Sequence, residues 1–305
     1  MKTIGIRILL STATSRYRKS MKSNVPTCLL GCSLAALSFA AAAQMPSSSS
    51  DAAADDAERR VLSVEELVKL KQNPVSGLKQ VLFEANVNPN YPESGKTQGI
   101  YSLQVVWPFS INEDYRLITY TIVPQFSVPG PPGESTINGL GDTLINLFAT
   151  PKKAGALVWG AGPSILLPTR GDPALGSNRL ALGPAGLIYY EQKDWSAGLV
   201  LQNAWSLGGG SGVNKVNALG AQYLLSYNLP DGWSLYSNAT ITSNWTKEPS
   251  ERWTGPVGGG VGKLFFAGKQ PISISLQGFY NVVTPTGGPN WSLSFQLAFL
   301  FAAPR

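Results

Sequence analysis

Twelve short segments after residue 77 are joined alternately by tight turns and by longer polar loops, and that rhythm constrains the fold more than composition does. The segments run roughly 78–88, 99–108, 114–127, 138–149, 155–167, 179–190, 195–207, 215–228, 233–245, 253–266, 271–283 and 290–301. The tight connections are Ser110-Ile111-Asn112-Glu113, Pro151-Lys152-Lys153-Ala154, Glu191-Gln192-Lys193-Asp194, Leu229-Pro230-Asp231-Gly232 and Ala267-Gly268-Lys269-Gln270. The longer ones are 89–98, 128–137, 168–178, 208–214, 246–252 and 284–289. A bacterial transmembrane β-barrel has short turns on the periplasmic side, longer loops outside and an even number of strands. The expected fold is therefore all-β, one antiparallel transmembrane barrel of about 12 strands over residues 77–305.

The segments themselves alternate. Ile272, Ile274 and Leu276 interleave with Ser273, Ser275 and Gln277, and Trp291, Leu293, Phe295, Leu297 and Phe299 with Ser292, Ser294, Gln296 and Ala298. Tyr101, Leu103, Val105 and Trp107 do the same against Ser102, Gln104 and Val106. Period 2 is the strand signature, because successive side chains leave opposite faces. One face is apolar; the other is small or polar but uncharged. A soluble β-sandwich also alternates, yet it has no reason to alternate its loop lengths, and it would carry charges mid-strand. Here few charges fall mid-strand: Asp142 is the clearest, with Glu84 in the first strand and Lys263 near a periplasmic end. Trp107, Trp159, Trp195 and Trp233 lie toward the tight turns, and Trp205, Trp245, Trp253 and Trp291 toward the long loops, as two interfacial girdles would require.

The amino-terminal part is a different kind of sequence. A basic stretch is followed by the apolar run Cys28 to Ala42, and Ala41-Ala42-Ala43 precedes Gln44. Basic region, apolar region and small-residue site are the parts of a secretory signal peptide, expected over 1–43. Met21 offers an alternative start for it. The formal charge of +6 belongs to this leader, since residues 44–305 hold 18 cationic and 18 anionic side chains. The basic balance is thus no argument for a nucleic-acid partner. Both cysteines, Cys28 and Cys32, also fall in the leader. Residues 44–60, rich in Ser, Ala and Asp, predict a disordered linker. Ser63-Val64-Glu65-Glu66 has the form of a capping box and opens a short helix, expected within 61–76 on the periplasmic side and ended by Asn73-Pro74.

With no histidine in the chain, Ser-His-Asp and Cys-His machinery is excluded, as are His metal sites. The expectation is a protein that is not an enzyme, with no catalytic, cofactor-binding or metal-binding residue. Gly208-Gly209-Gly210 and Gly258-Gly259-Gly260 have no strand-to-helix context for phosphate binding and predict bends or tight loops instead. The candidate pore-lining residues are Asp142, Glu84 and Lys263. Asp142 has a second reading as a hydrogen-bond acceptor closing an outer loop, and Lys263 shares a face with Val257, Val261 and Phe265, which would send it to the interface.

Several segments resemble one family. They are Ser110 to Pro124; Gly139-Leu140-Gly141-Asp142 with Phe148 and Pro151; Val158-Trp159-Gly160-Ala161-Gly162-Pro163 through Leu167-Pro168-Thr169; Gly268 to Ser273; and Gly287-Gly288-Pro289-Asn290-Trp291. Over roughly 65–305 the chain resembles the bacterial proteins labelled "MetA-pathway of phenol degradation", often misnamed neuromedin U or called transporters. The resemblance implies an outer-membrane barrel that moves small solutes, hydrophobic or aromatic ones among them. The alternative is a non-transporting barrel with a structural or surface-interaction role. The partners expected are outer-membrane lipid, the barrel assembly machinery and a small-molecule solute, with no nucleic acid. The end, Phe301 followed by Ala302-Ala303-Pro304-Arg305, departs from the terminal aromatic usual in an assembly signal.

Overall fold

The first and last strands of the sheet pair with each other, Lys79 opposite Phe301 and Val87 opposite Leu293, and so close it into a barrel. The computed structural model describes residues 62–92, 94–131, 133–208 and 215–301. The expected signal peptide and linker lie outside the described residues. The strands are β1 (Lys79–Asn88), β2 (Gln98–Ser110), β3 (Tyr115–Val128), β4 (Ile137–Leu140), β5 (Thr143–Pro151), β6 (Leu157–Leu167), β7 (Ala181–Glu191), β8 (Trp195–Ser206), β9 (Asn217–Asn228), β10 (Trp233–Asn244), β11 (Trp253–Ala267), β12 (Gln270–Val283) and β13 (Trp291–Phe301). All neighbours are antiparallel, and β3 bonds both β4 and β5. Closure matters because hydrocarbon offers no water to an open strand edge. No helix among the described residues is long and apolar enough to cross a membrane.

Alternation along the strands becomes an inside and an outside. On β13, Trp291 is 58% exposed while Ala298 is fully covered. The tryptophans form the two expected rows: Trp107, Trp159, Trp195 and Trp233 lie outward near the tight turns, and Trp205, Trp245 and Trp291 outward near the long loops. Several are steadied by a second ring. Tyr190 and Trp195 have centroids 5.7 Å apart, Trp245 and Trp253 5.4 Å, and Tyr280 and Trp291 4.9 Å. Such pairs contribute about 0.5–1.5 kcal/mol beyond burial.

The fourth expected strand, read as continuous over 138–149, is two strands. β4 and β5 both lie on β3, but the register passes from Gln125↔Leu140 to Ile122↔Leu144. Three residues, Gly141 to Thr143, therefore face two, Val123 and Pro124, which is a β-bulge. Pro124 has no N–H for a ladder, and its carbonyl takes the Gly141 N–H at 2.9 Å instead.

Helix α1 (Val64–Gln72) packs at the tight-turn end, against β11 and the turn Pro230–Gly232. Its capping box is complete: Ser63 Oγ accepts from Glu66 N–H at 3.1 Å, and Glu66 Oε2 accepts from Ser63 N–H at 2.9 Å. Leu67 and Val68 are buried. Gly232 is required beneath the helix. It has φ of +74°, and a Cβ there would stand 2.3 Å from Leu264 O and 2.7 Å from Val64 Cγ1.

Candidate functional site in the barrel lumen

The inner faces of the strands enclose a cavity of about 460 Å³, with the last turn of α1 entering it from the tight-turn end. Its polar wall is mostly uncharged, with Gln104, Asn146, Gln202, Gln222, Gln277 and Gln296 among its members. Leu82, Ile100, Val106, Phe148, Val200 and Phe279 supply apolar surface between them. Among the described residues, two charged ones stand in this wall, Glu84 on β1 and Lys71 on α1.

Register places Glu84 opposite Ser102 on β2 and Gln296 on β13. Its carboxylate is held by amides. Asn86 Nδ2 donates to Oε1 at 2.6 Å, and Gln104 Nε2 and Gln296 Nε2 donate to Oε2 at 2.8 and 3.4 Å. Gln104 is itself oriented, because its Oε1 accepts from Tyr120 Oη at 2.6 Å. A chain of neutral donors thus fixes one negative charge without a cation bound to it. Charge-assisted bonds of this kind are the stronger class, and they fix the geometry of the carboxylate in the wall.

Lys71 and Gln72 meet the wall at β9 and β10. Lys71 Nζ lies 4.8 Å from the centroid of Tyr236, a cation–π contact. Gln72 Nε2 donates to Asn228 Oδ1 at 2.7 Å. On the flank, Asn146 of β5 donates to Gln202 of β8 across two intervening strands. The crossing is feasible because β6 and β7 present Gly160, Gly162, Gly183 and Ala185 to the inside. At Gly162 and Gly183 a Cβ would fall 2.0 Å from Leu147 O and 1.7 Å from Asn203 O. Sharp bending there brings the two amides together.

Of the three candidate pore residues, the structure sets Glu84 in the cavity wall and the other two elsewhere. Asp142 sits in the bulge, 8% exposed, and faces the long loop 168–180. Its Oδ2 accepts from Ser177 N–H at 2.6 Å and Oγ at 2.8 Å, and its Oδ1 from Arg170 N–H at 3.3 Å. The bulge changes the phase of alternation, so a residue counted as inward along β5 is turned into the loop instead. Lys263 is on the outer face with Val257 and Val261, its Nζ 4.8 Å from the Trp233 ring centroid. We expect Asp142→Asn to leave ion selectivity unchanged and to loosen loop 168–180. Its loss should be about 1.5–3 kcal/mol, the value of a hydrogen bond to a charged group. Limited proteolysis of the loop in the folded barrel, beside reversal potentials, checks both halves.

A second carboxylate ties two other long loops. Glu251 accepts from Thr286 N–H at 2.8 Å and Oγ1 at 2.7 Å. These bonds, with Lys247 nearby, hold its carboxyl below the ordinary carboxylate range.

Sequence reasoning did not single out Lys71, Gln72 or the amides of the wall. The amides were visible as the uncharged polar face of each strand, but nothing in period 2 says which of them meet.

Three solved barrels are similar to this chain in architecture. The COG4313 outer membrane channel from Pseudomonas putida F1 has 18% identity and a TM-score of 0.56, over 74% of this chain and 96% of that one. The NanC porin has 11% identity and a TM-score of 0.47, over 74% and 100%. Outer membrane phospholipase A from Escherichia coli has 12% identity and a TM-score of 0.39, over 74% and 93%. No known family's sequence profile matches this chain, and no curated protein sequence does. The fold is that of bacterial outer-membrane β-barrels, and the apolar band between the tryptophan rows is the surface that meets outer-membrane lipid. One expectation is corrected. The chain was expected not to be an enzyme, but a barrel of this general kind serves as a phospholipase in E. coli, so that exclusion does not stand.

Proposed function

We propose that this barrel passes small solutes, hydrophobic and aromatic ones included, across the outer membrane, with its tight turns and α1 on the periplasmic side. We further propose that it belongs with the channels resembling the "MetA-pathway of phenol degradation" proteins. The observation that carries the reading is the lumen wall. It alternates amides with aliphatic and aromatic side chains and holds one carboxylate and one ammonium. A wall of that kind offers a hydroxylated or aromatic solute both hydrogen bonds and apolar contact, as small-molecule sites do. It offers little to a multiply charged one. The likeness to the P. putida channel supports the same reading at the level of architecture.

Purified protein in planar bilayers is expected to give discrete conductance steps, and liposomes containing it to swell in small neutral solutes. The last turn of α1 narrows the lumen, so Lys71→Ala with Gln72→Ala is expected to raise conductance over the wild type. The same helix is the observation that favours the second reading, a closed barrel with a structural or surface role. Silence from both the wild type and the double variant, each shown folded by heat modifiability, would decide for that reading.

A further inference from the structure

Between β10 and β11 the wall is joined by side chains where a barrel is ordinarily joined by backbone. The ladder runs from Trp233↔Lys263 to Tyr236↔Gly260, stops, and resumes at Thr242↔Thr254. The register is the same on both sides of the interruption, so residues 237–241 and 255–259 face each other without ladder bonds and without an inserted residue. The ladders β5–β6 and β7–β8 skip only two pairs each, beside Pro163 and Pro184. On its other edge, β11 also shifts register against β12 at Gly255/Pro256. Pro256 has no N–H to contribute. Backbone groups without partners are expensive in hydrocarbon, and three side chains take the place of the missing bonds. Ser237 Oγ donates to Gly258 O at 2.5 Å. Gln277 Oε1, from the lumen, accepts from Asn238 N–H at 3.1 Å. Tyr223 Oη donates to Pro256 O at 3.2 Å.

The cavity reaches this seam. Asn238, Thr240, Thr242, Thr254 and Pro256 line it, as inner-face residues should. Ala239 lines it too, although alternation puts Ala239 on the outer face. Ala239 thus borders the cavity where the ladder is interrupted. From the lipid side Ala239 is only 8% exposed. Its cross-strand partner is Tyr223, on the same face as the exposed Leu225 and Tyr227. To reach Pro256, the Tyr223 side chain crosses β10 and spans the seam. Val257, 58% exposed, borders it on the bilayer side.

We infer that the β10–β11 seam is a side exit through which small uncharged apolar solutes leave the lumen for the bilayer, shut in this structure by Tyr223. The inference rests on the reading that solutes enter the lumen at all. Opening needs the release of the Tyr223 hydroxyl and a rotation of its ring, with the two other bridges giving way. The other two bridges are single side-chain bonds that can re-form, so the barrel need not break a continuous ladder. An ion would gain nothing by this route, because it ends among acyl chains.

The test uses a reversible lock. Positions 239 and 257 are opposite each other in the interrupted register, and residues 44–305 contain no cysteine. Cells producing Ala239→Cys/Val257→Cys are assayed for entry of the apolar dye N-phenyl-1-naphthylamine, oxidised and then reduced. Ion conductance of the same protein is measured in planar bilayers. The expected result is dye entry at the level of barrel-free cells when oxidised, several-fold faster entry when reduced, and equal conductance in both states. Tyr223→Ala is expected to speed dye entry several-fold. If that variant is not recovered folded, Tyr223→Phe, which loses only the hydroxyl, must speed it. Conductance with dye entry indifferent to the lock would overturn the side exit and leave the passage reading intact. Dye entry and conductance falling together on oxidation would overturn it as well. Absence of both in the reduced protein would overturn the passage reading beneath it.

Discussion

Gly260→Val is expected to abolish the folded, heat-modifiable form of this protein. Gly260 faces the inside of β11 where the sheet turns toward β12. A Cβ at this position would lie 1.9 Å from Leu276 O and 2.6 Å from Gln277 Cα. Both obstacles are backbone, so no rotamer change can relieve the contact. Gly258, two residues earlier on the same face, would meet Gly278 O at 2.0 Å. The strands would have to separate, and separation costs ladder bonds in a bilayer that cannot replace them. Overpacking alone costs about 1–3 kcal/mol, and a rigid obstacle puts this site at the upper end or beyond it. Gly278→Ala is the matched control, since its Cβ would meet nothing nearer than Leu293 Cδ2 at 3.6 Å. Gel mobility of unboiled samples should separate the two substitutions. A folded Gly260→Val barrel would show that the bend does not depend on close backbone approach.

Glu84→Lys is expected to reverse the ion preference of the pore, and Glu84→Gln to reduce it toward none. Among the described residues, Glu84 is the one carboxylate in the cavity wall. Lys71 is the one ammonium, and it is drawn over Tyr236. Substitutions on the lumen side of a barrel tune selectivity, whereas those on the lipid side destabilise. The Gln variant keeps the shape but presents an amide to the donors of Asn86, Gln104 and Gln296, a loss of about 1 kcal/mol. Assembly should therefore survive. Reversal potentials under a salt gradient give the answer directly. Selectivity identical to wild type in both variants would mean that the conducting path avoids this wall.

Most strand limits were legible in the sequence because two independent signals, alternation and turn chemistry, agree there. For β13, alternation of Trp291 to Phe299 with small or polar residues starts just after the loop that ends at Pro289, and the observed Trp291–Phe301 lies within one residue of the expected span. What period 2 cannot carry is a change of phase. Gly141-Asp142 reads as one more step of a regular strand, and only the partner strand, with Pro124 opposite, reveals the bulge. The same limit left Asp142 with two readings, and the structure shows the second, an acceptor that closes the outer loop. Glu84 was identified by its rarity as a charge within a strand, and its neighbours on β2 and β13 only by register, which joins positions far apart in sequence. Helix α1 was announced by its capping box. Its entry into the lumen was not, because Lys71 and Gln72 look like ordinary solvated residues until Tyr236 and Asn228 are placed beside them.

Closure of the sheet by β1 and β13 has a kinetic consequence. Every other ladder joins strands that follow each other closely along the chain, whereas Lys79 meets Phe301 only after the whole barrel lies between them. Local hairpins can form early and cheaply, but that final pairing must overcome the loop-closure entropy of the entire sheet. Until it does, the assembling chain carries two bare edges of opposite ends, each complementary to the other and to any stray strand. By that argument the meeting of the first strand with the last is the pairing expected to form latest.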